Sequence, residues 1–171
     1  MNRQASLIKR IRLLTWVFII GLVVSGATAI PLLKEMDLLA QWLGAADKSS
    51  DAVSGFAHWI LKVREGLRET DAKFPFMAYG TDWLAFGHFM IAVVFVGALR
   101  DPVRNAWLYT FGMIACAAIV PYAFIFGGVR GIPIYWRLID CSFGVFGMIP
   151  VWLCRRWVVE LEMLSSKETQ K

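Results

Sequence analysis

Apolar residues along this chain gather into four runs, 13–33, 83–99, 107–126 and 134–154. The first three contain no Asp, Glu, Lys or Arg, and the fourth contains only Arg137 and Asp140. Each run is close to the ~20 residues that a helix rising about 1.5 Å per residue needs to cross ~30 Å of hydrocarbon. The pattern therefore predicts four membrane-spanning helices. Between the first two runs the pattern changes. In 52–69, Val53, Phe56, Ile60, Val63 and Leu67 recur at helical intervals among polar residues, which predicts an amphipathic helix on the membrane surface or across the top of a bundle. Leu38, Leu39, Trp42 and Leu43 in 34–46 suggest an interfacial helix or an extension of the first span, and 47–51 supplies turn and N-cap residues. Phe74-Pro75-Phe76 breaks the amphipathic helix before the second span. The expected fold is an all-α integral membrane protein, a four-transmembrane-helix bundle in one domain over 1–171, with an extracytoplasmic amphipathic helix between spans one and two.

The ends of the pattern need separate reading. Lys9, Arg10 and Arg12 precede the first run, and Ala27-Thr28-Ala29 resembles the small-residue cleavage site of a secretory signal. The apolar character continues through Ile30, Leu32 and Leu33, so a retained span is the preferred reading. Gly21, Ser25 and Ala29 recur every four residues, a spacing that lets membrane helices approach closely, and Pro31 should kink or end the helix. After 154, Trp157, Val158, Val159, Leu161 and Leu164 can continue the last helix, whereas 165–171 reads as a disordered polar tail.

Composition reinforces the membrane assignment: 58% of residues are apolar, 18% are charged, and mean hydropathy is +0.57. The net charge of +5 is distributed by side. The ends together with the 100–106 turn carry ten basic and four acidic residues, against six basic and eight acidic in 34–82. Excess Lys and Arg marks cytoplasmic segments, so both termini are expected in the cytoplasm and 34–82 outside a cell membrane. The basic charge reads as topology, and no nucleic-acid partner is expected. Arg100 and Arg104 in the short inner turn anchor it at the surface, where they can meet anionic membrane lipids. Cys116, Cys141 and Cys154 lie in apolar runs without metal or redox spacing and read as packing residues.

Two histidines raise the question of haem with two axial imidazoles. His58 lies opposite the apolar stripe of its helix and should face water, so no cofactor is expected, and no metal site either. His88 shares a stripe of small residues with Thr81, Ala85 and Ala92, the face expected to pack inward. Arg137, Asp140, Cys141, Gly144 and Gly147 likewise share one face of the fourth span. His88 and Asp140 each sit six residues in from Asp82 and Ile134, about 9 Å below the outer end at helical rise.

Ionisable groups at such depth are costly and seek partners. Arg137 can pair with Asp140 within its helix, and His88 can approach the same carboxylate. With Asp82, Arg130, Tyr122 and Tyr135 these residues would form a polar pocket opening outward. Three functions fit. The first is a small membrane protein binding a lipid, a quinone or another amphipathic ligand as a redox or accessory subunit. The second is a structural or assembly subunit, in a homo-oligomer or a larger membrane complex, whose polar cluster only joins helices. The third is a membrane-embedded enzyme or proton-coupled carrier with His88 and Asp140 as an acid–base pair. No nucleophile motif accompanies that pair, so whether the chain is an enzyme stays open.

Overall fold

A computed structural model of the protein describes residues 3–169, with side chains through 166. Among these residues every regular element is helical: α1 (Arg3–Ala29), α2 (Leu32–Trp42), α3 (Gly55–Lys73), α4 (Tyr79–Arg100), α5 (Ala106–Val129) and α6 (Ile134–Thr169). Short 3-10 turns at Ser50–Ala52 and Pro75–Ala78 lead into α3 and α4. Three helical stretches, Pro75–Arg100, Ala106–Val129 and Ile134–Ser166, are long and apolar enough to cross a membrane, and α1 with α2 makes a fourth if that bent pair counts as one span.

Three boundaries differ from the hydrophobic pattern. The first apolar run is cut at Ala29: α1 stops there, and the chain turns by 89° into α2. Pro31 explains the break, because it has no N–H to continue the α1 ladder, while its carbonyl accepts the first bond of α2 from Glu35 N at 3.0 Å. α4 starts at Tyr79, four residues before its apolar run. α6 does not stop at the expected tail but continues through Thr169, because Glu, Leu, Met and Lys after 159 are good helix formers. The remainder of that tail, Gln170 and Lys171, lies outside the described residues.

The chain divides into two compact units, one formed by Val23–Met90 and one by the segments before and after it. In the flanking unit, α1 contributes residues 3–22, α4 its last turns, and α5 and α6 their full length. Its core gathers Ile11, Phe95, Ala98, Tyr109, Val151, Cys154 and Val158. Phe18 stacks on Phe95 at 4.8 Å, and Phe95 meets Tyr109 edge-on at 6.2 Å. The α5–α6 seam is tight because Gly144 lies where a Cβ would come within 2.5 Å of the Cys116 carbonyl oxygen. Bulky residues such as Phe143, Phe146 and Ile149 remain exposed, as a lipid-facing surface should.

In the Val23–Met90 unit, α2 and α3 pack together through Met36 and Ala40 on one helix and Ile60 and Leu61 on the other. A Schellman motif ends α2: Ala45 N bonds Ala40 O at 3.0 Å, Gly44 N bonds Gln41 O at 2.9 Å, and Gly44 takes φ +62°. The small-residue spacing read in the first run, Gly21, Ser25 and Ala29, also departs from expectation at its first position. Gly21 has no atom near its missing Cβ, whereas a Cβ on Gly26 would stand 3.0 Å from both Ala85 O and the His88 Cβ. The close approach is real, but Gly26 makes it rather than Gly21.

Candidate functional site

The α1–α2 break creates a concavity. Ile30, Pro31, Leu32, Leu33 and Lys34 at the bend face Leu67, Thr70, Asp71 and Phe74 at the end of α3 and Met77, Ala78 and Thr81 before and within α4. Together they line a cleft of ≈ 320 Å³, at the lower end of the ~300–1,000 Å³ usual for ligand sites. Its walls are mainly apolar, with Lys34, Asp71, Thr70 and Thr81 as the polar groups. Thr81 Oγ1 donates to Ala78 O at 2.7 Å, which leaves its lone pairs open. Aromatic side chains surround this end of the unit. Trp83 contacts Tyr79 and Phe86 edge-on, Phe74 meets Phe76, and Tyr79 and Trp83 are exposed. Exposed Trp and Tyr in such a girdle are typical of a membrane–water boundary.

Polar contacts join α2 to α3 in the same unit. Arg64 is only 5% exposed, although the apolar stripe placed it outside the buried face. The buried face of α3 is Ile60, Leu61 and Arg64, while Phe56 of the expected stripe is exposed. Arg64 donates to Ala46 O at 2.9 Å and lies 4.0 Å from Asp37 Oδ1, with no acceptor on its Nε. Arg68 pairs with the same carboxylate at 2.5 Å. Asp37 thus ties α2 to two arginines of α3. Hydrophobic periodicity misses this arrangement because it scores Arg64 as polar. The available signal was its i+4 spacing from Ile60, combined with an acidic residue on the partner helix.

His58 does not simply face water. It is half-buried, and its Nδ1–H donates to Ser50 O at 2.7 Å. Glu65 accepts from Ser50 N at 2.8 Å and from Ser50 Oγ at 2.7 Å. These bonds hold the Glu65 carboxylate below its usual pKa, and Arg64 and His58 contribute less. The 3-10 turn is thereby clamped onto α3, and His58 has a structural partner on the surface that the stripe left polar.

The residues of the expected polar pocket divide between the units. Asp82 and His88 belong to Val23–Met90, whereas Tyr122, Arg130, Tyr135, Arg137 and Asp140 belong to the flanking unit. Asp82 is exposed in the first turn of α4, where a carboxylate complements the helix dipole. His88 is half-buried and its Nδ1–H donates to Leu84 O at 2.8 Å, so Nε2 is its open acceptor. In the flanking unit, Gly131 at φ +68° turns the chain from α5 into α6. Arg137 lies along Gly127 and donates from Nε to Ile132 O at 2.7 Å. It closes that turn, and no Arg137–Asp140 ion pair forms among the described residues. Asp140 is half-buried, on the same face as buried Cys141 and Gly144, as the helical spacing anticipates. Tyr122 is turned to the surface, 65% exposed with its ring on Phe126 at 4.5 Å. Arg130 is exposed and Tyr135 half-buried.

A second polar feature escaped the sequence pattern. Thr15 and Tyr109, both buried, meet Cys154 in the core of the flanking unit. Thr15 Oγ1 donates to Ile11 O at 2.8 Å and accepts from Tyr109 Oη at 2.8 Å. Cys154 Sγ lies 3.5 Å from the same Ile11 carbonyl. Every polar atom of this knot is satisfied, so it joins helices and leaves no group open for chemistry. The three cysteines are unbridged and buried, and no three His, Cys, Asp or Glu side chains among the described residues gather around a metal-sized space. In comparisons with known proteins, no family model, no curated protein and no solved structure matches this chain.

Proposed function

We propose that this chain is a multi-pass membrane protein that holds an amphipathic ligand, a lipid or a quinone, in the cleft beside the α1–α2 bend, as an accessory rather than a catalytic subunit. The observation that carries this reading is the lining of the cleft. Apolar side chains from three elements form its walls, a few polar groups stand among them, and exposed aromatics follow on the segment leading into α4. Such a surface suits a molecule with one polar end and one apolar end at a membrane boundary. The charge distribution supports placing 34–82, and with it the cleft, on the extracytoplasmic side, and both termini in the cytoplasm.

The reading is tested by a lipid and quinone inventory of gently purified full-length protein beside Ala78→Trp, which fills the cleft from an exposed position. Wild type should retain one amphipathic species that the variant loses. Equal retention of every species by both proteins would refute a ligand role and leave a structural or assembly subunit.

A further inference from the structure

The cleft carries two formal charges of opposite sign, Lys34 and Asp71, and among the described residues neither is engaged by an ion pair or a hydrogen bond. Among the described residues, Glu35, Asp47, Lys48, Asp51, Lys62 and Asp82 of this unit have no side-chain partner either, and Lys34 and Asp71 differ from them in lining the cleft. Arg64 and Arg68 share Asp37, Lys73 holds Glu69 at 2.6 Å, and Glu65 is taken by Ser50. Lys34 and Asp71 line the same space without meeting each other.

Resting on the amphipathic-ligand reading, we infer that the cleft selects a zwitterionic phospholipid headgroup containing a phosphate and a primary ammonium, with Lys34 on the phosphate and Asp71 on the ammonium. An anionic headgroup would satisfy Lys34 and be repelled by Asp71. A quinone, without formal charge, would engage neither as an ion. A zwitterion neutralises both, and the cleft has no net charge to oppose it. The ammonium is primary because a quaternary one is recognised by a cage of aromatic faces, and Phe74 is the single aromatic residue in this lining. A carboxylate accepts N–H bonds from a primary ammonium directly, and the open lone pairs of Thr81 Oγ1 add an acceptor. At ≈ 320 Å³ the cleft accommodates a headgroup, with Leu32, Leu33 and Met77 at the start of the chains and the tails left in the bilayer.

The test uses full-length protein, delipidated and equilibrated with equimolar phosphatidylethanolamine, phosphatidylcholine, phosphatidylglycerol and decylubiquinone in mixed micelles. Bound species are counted by native mass spectrometry. Both charges are exposed, so the expected preference for phosphatidylethanolamine over either other phospholipid is about fivefold. Asp71→Asn should remove its advantage over phosphatidylglycerol, Lys34→Gln should lower the occupancy of both, and Lys48→Gln should change neither. If phosphatidylglycerol, phosphatidylcholine or the quinone matches or exceeds phosphatidylethanolamine but is lost in Ala78→Trp, the headgroup assignment is wrong and the amphipathic-ligand reading stands. If no bound species responds to Ala78→Trp, both are wrong.

Discussion

At the scale of single residues, the polar groups that matter most for stability are those that hydrophobic patterning treats as interruptions. Thr15 occurs within the first apolar run and Tyr109 near the start of the third, and neither has a sequence feature that marks it. Their bond depends on two helices meeting at one level, which only the fold supplies. Thr15→Val keeps the volume but leaves the Tyr109 hydroxyl with only the Ala98 carbonyl, 3.4 Å away. The expected loss is about 1 kcal/mol of resistance to unfolding in detergent, and Tyr109→Phe should cost a similar amount. Glu65 gives a second prediction with a definite sign. Its pKa is lowered on folding, so its contribution is fully present above the ordinary carboxylate range and is lost as pH falls through the lowered value. Amide exchange in the Ser50–Ala52 turn should therefore be flat from neutral pH to about 5 once corrected for intrinsic rates, and accelerate below about 4. Glu65→Gln should show the faster exchange at every pH. A wild-type profile that loosens near neutrality would contradict the role given to Glu65.

At the scale of elements, the close approaches rank the glycines. A Cβ on Gly144 would meet a backbone oxygen at 2.5 Å, which no side-chain rotation relieves, so Gly144→Ala should force α5 and α6 apart. An overpacking cost of about 2–3 kcal/mol follows. Gly147→Ala meets the Cys116 sulfur at 3.0 Å, a side chain that can move, and should cost less. Gly21→Ala meets nothing and should stabilise α1 by up to about 1 kcal/mol through helix propensity. Thermal unfolding of the three variants in one detergent checks the order, and a Gly21 variant as damaged as Gly144 would contradict it. The face of α6 bearing Cys141 and Gly144 could be read from 3.6-residue spacing, because bulky and small residues segregate cleanly there. The α2 helix was harder to read. Leu32 and Leu33 extend the apolar run past Pro31, and hydropathy does not register a change of direction. Pro31 and helical character in 34–46 were both visible, but their joint consequence, a separate helix at 89°, depends on α2 finding α3 to pack against. On α3, burial of Arg64 depends on Asp37 and the Ala46 carbonyl, so the buried face includes a charged residue that periodicity assigned to solvent.

For the whole molecule, hydropathy carries most of what the sequence reveals, three or four segments long and apolar enough to span a membrane, and the distribution of Lys and Arg supports the proposed sidedness. Single cysteines introduced at Lys48 and Ser166, both exposed and added to a chain whose own thiols are buried, should label from opposite faces of intact inverted and right-side-out vesicles. Labelling of both from one side would contradict the proposed topology. The expected pocket drew on residues that the fold assigns to two units, whereas the cleft arises from a bend that no polar motif announces. Its polar residues, Lys34, Thr70, Asp71 and Thr81, are unremarkable in sequence because they become neighbours only through the turn at Pro31. Photocrosslinking therefore tests the central claim most directly. A phospholipid with a diazirine beside its headgroup, bound to the full-length protein at limiting concentration, should label peptides covering 30–34 and 67–81 together, and Ala78→Trp should abolish that labelling. Equal labelling along the exposed surfaces of α5 and α6, unchanged in the variant, would show that lipid only surrounds the protein and that the cleft is not a site.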